Sequence, residues 1–187
     1  MRLIVGISGS SGVIYGIRLL QLLSKRQDIE THLILTQSAR MNIGIETDWA
    51  ASDVESMADV VHNNKNISAN IASGSYRTCG MIVAPCSMKT LSGIVNSYSD
   101  NLITRAADVV LKEQRRLILV PRETPLHLGH CELLARACQL GAMVHPPSPA
   151  FYTRPKTVDD IIDQTVARLL DTIGVEVSQL VRWSGNQ

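Results

Sequence analysis

Two hydrophobic rhythms take turns along this chain. Short, nearly unbroken apolar runs of strand length occupy residues 3–7, 31–36, 81–85 and 117–120. Between them, apolar residues recur every three or four positions, the spacing that covers one face of a helix. The clearest such stretch, residues 12–25, places Ile14, Ile17, Leu20 and Leu23 on related faces. Weaker helical patterns cover residues 37–45 and 52–58, and a polar loop through Asn63, Asn64, Asn66 and Asn70 follows. Further helices are expected over residues 89–95, 101–115, 126–140 and 157–173. A short strand is expected at 142–144, before the proline-broken loop His145-Pro146-Pro147-Ser148-Pro149. Thr157 has the chemistry of an N-cap, and Asp159 and Asp160 follow in the first turn, where the helix dipole favours anions.

Apolar runs without polar alternation belong to strands buried on both faces, and strands that alternate with helices form a parallel sheet. The expected fold is therefore α/β: a doubly wound parallel sheet, a flavodoxin-like or Rossmann-like three-layer sandwich, formed as one domain over residues 1–187. In such sheets ligands bind beyond the carboxyl ends of the strands, where loops enter helix N-termini. The loops after the first four clear strands are accordingly where chemistry is sought.

Composition narrows the function classes. With 45% hydrophobic residues in 187, the chain can fill a core, which excludes disorder as its main character. Eighteen Lys and Arg balance 17 Asp and Glu, so no global field points to nucleic acid, and any anion must be caught locally. No apolar run approaches the roughly 20 residues that span a bilayer, and Arg2 leads straight into a strand rather than a signal-peptide core. A cytoplasmic protein with no membrane partner is expected. Cys79, Cys86, Cys131 and Cys138 form no CxxC pair and suit reduced thiols.

The first loop, Gly6-Ile7-Ser8-Gly9-Ser10-Ser11-Gly12, joins a strand to a helix through small hydroxylated residues. It can present backbone N–H groups and a positive helix end to a phosphate or a flavin edge, and it is neither GxGxxG nor a Walker A loop. The loop Pro85-Cys86-Ser87-Met88-Lys89-Thr90 repeats that chemistry on the same sheet edge, and two amide cradles facing one crevice suit a phosphorylated aromatic cofactor. After the fourth strand come Arg122 and Glu123, with Arg105, Lys112 and Glu113 shortly before it. Arg matches phosphate oxygens with its fork, Lys adds a point charge, and a carboxyl among them serves as acid or base according to its protonation. His127, His130 and Glu132 lack a further close ligand, so no metal is expected.

Together Gly9-Ser10-Ser11-Gly12, Glu46-Thr47, Ser73-Gly74-Ser75, Pro85-Cys86-Ser87-Met88-Lys89-Thr90, Asn101-Leu102-Ile103-Thr104-Arg105-Ala106-Ala107-Asp108, Val120-Pro121-Arg122-Glu123 and Pro149-Ala150-Phe151-Tyr152 resemble the UbiX family of flavin prenyltransferases, in particular the branch found beside phenolic-acid decarboxylases. The resemblance implies transfer of a dimethylallyl group from dimethylallyl monophosphate to N5 and C6 of reduced FMN, which makes the cofactor of UbiD-type decarboxylases. It implies FMN contacts from Gly9, Ser10, Ser11, Thr36, Ser87, Met88, Lys89, Thr90 and Arg122. Lys112, Arg122, Tyr152 and Arg168 are implied to hold the prenyl phosphate, with Arg105 in the same basic lining and Tyr152 and Arg168 reaching in from a neighbouring subunit of a homo-oligomer, commonly a dodecamer. Glu46 is implied to take the proton displaced from the flavin, and Glu123 with Ser11 to handle protons at the departing phosphate. Some members wall the prenyl pocket with a Trp before Ser73. None lies between Asn63 and Ala72 here, leaving Tyr76 as the aromatic substitute or the pocket more open. Two other readings keep the flavin: an FMN-dependent cysteine-type oxidative decarboxylase, which would call for a His early in the chain, and a non-catalytic flavin carrier. No His precedes Thr31, and the carboxylates among phosphate-binding cations argue against a mere carrier.

Overall fold

Six strands, β1 (Arg2–Ile7), β2 (Glu30–Leu35), β3 (Val60–Asn63), β4 (Gly80–Cys86), β5 (Arg116–Pro121) and β6 (Met143–Val144), lie side by side in the order β3-β2-β1-β4-β5-β6. Every pair is parallel. With the four-residue edge strand β3 set aside, the order is that of a flavodoxin-like sheet. The structure is a computed structural model, and it describes residues 1–178 and 180–185.

Among the described residues, seven helices cover the two faces: α1 (Val13–Leu23), α2 (Gln37–Glu46), α3 (Ala51–Glu55), α4 (Met88–Val95), α5 (Leu102–Lys112), α6 (Leu128–Gln139) and α7 (Val158–Ile173). Short 3-10 turns lie at Asn70–Ala72 and Phe151–Thr153. Because successive strand residues face opposite sides, the sheet feeds two cores. Leu3, Val5, Leu33, Ile82 and Ile118 meet α1 and α7 on one side. Ile4, Ile34, Met81, Val83 and Leu119 meet α4, α5 and α6 on the other. Gly16 lets α1 sit against the sheet, for a Cβ there would lie 2.4 Å from the Ala84 carbonyl oxygen.

Most predicted elements stand within one or two residues of their expected ends, and Thr157 caps α7 through the Asp160 N–H as its chemistry foretold. One element was not expected. Residues Val60–Asn63, which lead into the polar stretch, pair with β2 as the edge strand β3, held by main-chain bonding to β2 and by burial of His62.

Candidate functional site

All strands being parallel, their carboxyl ends open on one edge, and the chain changes winding direction between β1 and β4. Ser8, fully buried, fastens the two loops there: its Oγ donates to the Pro85 carbonyl (2.9 Å) and accepts from the Ser87 N–H (2.7 Å). Beside this junction lies a crevice of about 790 Å³, lined by Gly9, Thr36, Ser38, Asn64, Ser87, Lys89, Thr90, Asn101 and Thr104, among others. That volume is within the roughly 300–1,000 Å³ typical of ligand pockets.

Three helix N-termini converge on the crevice, each with its cap satisfied. Thr36 accepts from the Ala39 N–H, Ser87 from the Thr90 N–H and Asn101 from the Thr104 N–H. None of α2, α4 and α5 has an acidic residue in its first turn, whereas α7 carries Asp159 and Asp160. Positive helix ends left without carboxylates suit an external anion. Lys89, exposed on the crevice wall and without an ion pair among the described residues, adds a full charge. Ser10 Oγ is buried with no hydrogen-bond partner, and Gly9 is packed so closely that a Cβ would lie 2.2 Å from that of Ser38. An orphaned hydroxyl, a side-chain-free cradle and three capped helix starts without a first-turn carboxylate fit a phosphorylated, hydrogen-bonding cofactor such as FMN, although Asp100, beside the α5 cap, lines the same crevice.

The N-terminus of α1 is answered differently. Gly12, at φ +96°, precedes it, and Glu46 Oε2 accepts from the Gly12 N–H (2.8 Å) and the Val13 N–H (3.3 Å). The far end of α2 thus supplies the carboxylate that α1 lacks. Arg122 joins this corner: its main-chain N–H donates to Cys86 (3.3 Å), its stem passes Gly12, and its charge lowers the Tyr15 phenol pKa, which burial raises by more. Ser11 and Glu123 are exposed on the same edge, Glu123 Oε1 accepting from the Thr124 N–H (3.1 Å). The Met88 side chain is half-buried and packs against the core beside α4.

The remaining expected residues are elsewhere on the protomer. Lys112 ends α5 at the foot of β5, and Arg122 follows the top of that six-residue strand, so about 20 Å of strand separates them. One protomer cannot bring both to a single phosphate, and the expectation of a basic cluster at one edge is corrected accordingly. Lys112 Nζ donates to Glu113 Oε1 (2.6 Å), holding the Glu113 carboxyl below its ordinary pKa, and lies beside Gly74. Arg105, two turns earlier on α5, donates to the Ala72 carbonyl (3.2 Å) and to Asp108 (2.9 Å). These two cations and the Ser73-Gly74-Ser75 loop make a second patch. Tyr152 and Arg168, both exposed, form a third with α7 and the residues that follow it.

Tyr76 points away from the crevice. Its ring lies under the Arg2 guanidinium (4.5 Å) and its hydroxyl reaches Glu30 and His32 near the foot of β2, so it supplies no aromatic wall at this crevice. The ring centroids of His127 and His130 lie 3.7 Å apart with planes tilted by 31°, and no group of three or more potential metal-ligating side chains occurs among the described residues. Ser38 and Asn64 belong to the crevice but escaped sequence reasoning. Asn64 accepts from the Leu102 and Ile103 N–H groups and ties β3 to the start of α5, a contact that no local motif announces.

Comparison with known proteins points the same way. The flavoprotein family model matches residues 1–170. The flavin prenyltransferase UbiX of Escherichia coli (strain K12) is 56% identical over 186 residues, 98% of each chain. Among solved structures, the dodecameric FMN-dependent UbiX-like decarboxylase from Escherichia coli O157:H7 superposes with a TM-score of 0.97 at 50% identity, covering 99% of this chain and 100% of that one. AnUbiX (PadA1), solved in complex with FMN and dimethylallyl pyrophosphate, gives 0.96 at 44% identity, covering 100% and 98%. With a crevice at the switch point of its sheet and relatives of this identity along nearly its whole length, the chain belongs to the flavoprotein family and, within it, to the UbiX flavin prenyltransferases.

Proposed function

We propose that the protein transfers a dimethylallyl group from dimethylallyl monophosphate to N5 and C6 of reduced FMN, releasing phosphate. The observation that carries this reading is the anion-accepting crevice at the switch point, with Arg122, Glu123, Ser11 and Glu46 gathered beside its first loop. Gly9, Ser10, Thr36, Ser87, Lys89 and Thr90 would hold the flavin, with Ser11 and Arg122 at its margin. When bound, reduced FMN supplies the electron-rich atoms that take the prenyl group.

The protein's part is to manage charge. Breaking the allylic C–O bond leaves positive charge on carbon and one more negative charge on a phosphate that is already anionic, and preformed cations stabilise the latter. Arg122 with Arg105, Lys112, Tyr152 and Arg168 would receive the phosphate, and Glu123 with Ser11 would move a proton to it. Glu46, held by two amides through Oε2, would take the proton displaced from the flavin. Lysine and arginine suffice for a monophosphate, and the chain's DDxxD run, Asp159-Asp160-Ile161-Ile162-Asp163, is spent on α7, where Asp159 and Asp163 pair with Arg18 and Asp160 accepts from the Lys156 and Thr157 N–H groups.

The three separate patches support a site completed by neighbouring copies. One protomer would offer the crevice and Arg122, a second Arg105 and Lys112, and a third Tyr152 and Arg168, in a homo-oligomer that we infer to be a dodecamer. The product would pass to a UbiD-type decarboxylase. We place the reaction in the cytoplasm, since all four cysteines are free and no helix among the described residues is long and apolar enough to cross a membrane. Cysteine-type decarboxylation is disfavoured. The first histidine, His32, is buried against His62 away from the crevice, and burial pushes the Cys86 thiol up to about 12.

The test is anaerobic incubation with reduced FMN and dimethylallyl monophosphate, followed by mass analysis of the released flavin. A gain of one C5 unit, lost in Glu123→Gln and Lys112→Ala, is expected. Unmodified FMN with intact donor would overturn the assignment.

A further inference from the structure

The segment after α7 folds back along that helix and ends against the two residues of the third patch. Gln164, on α7 and only 8% exposed, spends both ends of its amide there. Its Nε2 donates to the Val181 carbonyl (2.8 Å) and to the Tyr152 hydroxyl (3.3 Å), and its Oε1 accepts from the Val181 N–H (3.1 Å). The Tyr152 hydroxyl in turn donates to the Val181 carbonyl (3.3 Å). Trp183 meets the Tyr152 ring edge-on, with centroids 5.8 Å apart and planes at 73°. Between them, Arg182 pairs with both carboxylate oxygens of Asp171, the residue that also holds Arg168. Three consecutive residues therefore touch Tyr152 on two sides and share the counter-ion of Arg168.

We propose that Val181, Arg182 and Trp183, fastened through Gln164 and Asp171, form a clamp that positions Tyr152 and Arg168 for the donor phosphate. The proposal rests on the reading of those two residues as phosphate ligands. Its physical content lies in which bonds are cheap to give up. The Tyr152 O–H holds the Val181 carbonyl at a long 3.3 Å, while Gln164 donates to the same oxygen and makes the O–H a better donor. The hydroxyl can turn to a phosphate oxygen with its ring still braced by Trp183. Arg168, 55% exposed, has Asp171 as its one ion-pair partner among the described residues. Because Arg182 also holds Asp171, that carboxylate keeps a cation when Arg168 turns to the phosphate. Without Arg182, releasing Arg168 would leave Asp171, 18% exposed, unpaired, and unpairing a half-buried carboxylate opposes binding.

The experiment measures the dissociation constant of dimethylallyl monophosphate on the FMN-loaded full-length protein by calorimetry, together with KM, kcat, FMN affinity and assembly size. Trp183→Ala and Arg182→Ala are expected to raise the donor Kd and KM about tenfold, with kcat, FMN affinity and assembly unchanged. Trp183→Phe, which keeps an aromatic edge, should return the donor Kd close to the wild-type value. Arg168→Ala is the reference. If it leaves donor affinity unchanged, the phosphate-ligand reading fails and the clamp with it. If Arg168→Ala weakens donor binding while both Trp183→Ala and Arg182→Ala leave it intact, the clamp alone is overturned. Parallel loss of FMN affinity or assembly in the tail variants, or no rescue by Trp183→Phe, also overturns it in favour of a structural brace.

Discussion

A carboxylate in the first turn occurs only in α3 and α7 among the described helices, and α1 borrows Glu46; what sets α2, α4 and α5 apart is that their starts meet at one crevice. α2, α4 and α5 offer Thr36, Ser87 and Asn101 as caps and nothing acidic in the first turn, leaving their positive ends for a ligand. Lys89 is the full charge among these partial ones. Lys89→Ala should weaken FMN binding about tenfold, the scale of one exposed charge-assisted contact, while Lys89→Arg keeps most of the affinity. Titration by flavin fluorescence reads this directly, and an unchanged Kd for Lys89→Ala would remove Lys89 from the cradle. Gly9 and Ser87 were legible because each lies two residues beyond an apolar run, so position and chemistry coincide in the sequence, whereas Thr36, the last residue of its run, was expected only from the family resemblance. Ser38 and Asn64 were not legible, since their place in the crevice depends on how α2 and β3 pack. Met88 sits in the same polar motif as Ser87, with its half-buried side chain packed against the core.

Elements were read well where burial dominates and poorly where a few polar bonds decide. β1, β2, β4 and β5 announce themselves as apolar runs, but β3 rests on its pairing with β2 and on a contact between two histidines. His32 Nδ1 and His62 Nε2 lie 2.9 Å apart with rings nearly parallel, and the far nitrogen of His32 reaches Glu30 at 3.0 Å. Two nitrogens at that distance share one proton well and two badly. Burial lowers both pKa values below the ordinary 6.5, with the Glu30 carboxylate and, more weakly, Asp59 opposing this at His32 and the Arg2 charge adding to it. The folded state then holds fewer protons than the unfolded one. The stability this represents is complete above pH 6.5 and is lost as pH falls from there toward the folded values, at up to about 1.4 kcal/mol per pH unit for each proton taken up. Denaturation at fixed protein concentration should show a steeper loss between pH 7 and 5.5 for the wild type than for His62→Gln. Equal slopes would mean that the pair carries no pH-dependent stability.

At the scale of the molecule, the informative fact is a separation. The sequence lists Lys112 and Arg122 ten positions apart and invites one to see a single basic cluster, but β5 runs between them and sets one at each end of the sheet. A strand of ordinary geometry makes such neighbours in sequence distant in space, which no motif records. If both serve one phosphate, as we propose, they must come from different copies. Lys112→Ala and Arg122→Ala should each be inactive as pure oligomers, yet complementary when mixed. In randomly mixed assemblies of the two variants in equal amounts, each site draws its Lys from one copy and its Arg from another. About a quarter of the sites then contain both wild-type residues, and prenylated flavin should form at about a quarter of the wild-type rate. The variants are co-expressed or unfolded and refolded together, and the rate is compared with that of the two pure variants combined without exchange. Restored turnover only after exchange means a site built between copies. No restoration in demonstrably mixed oligomers would mean that Lys112 and Arg122 act in one protomer or not together, and the 20 Å between them would then remove Lys112 from the site.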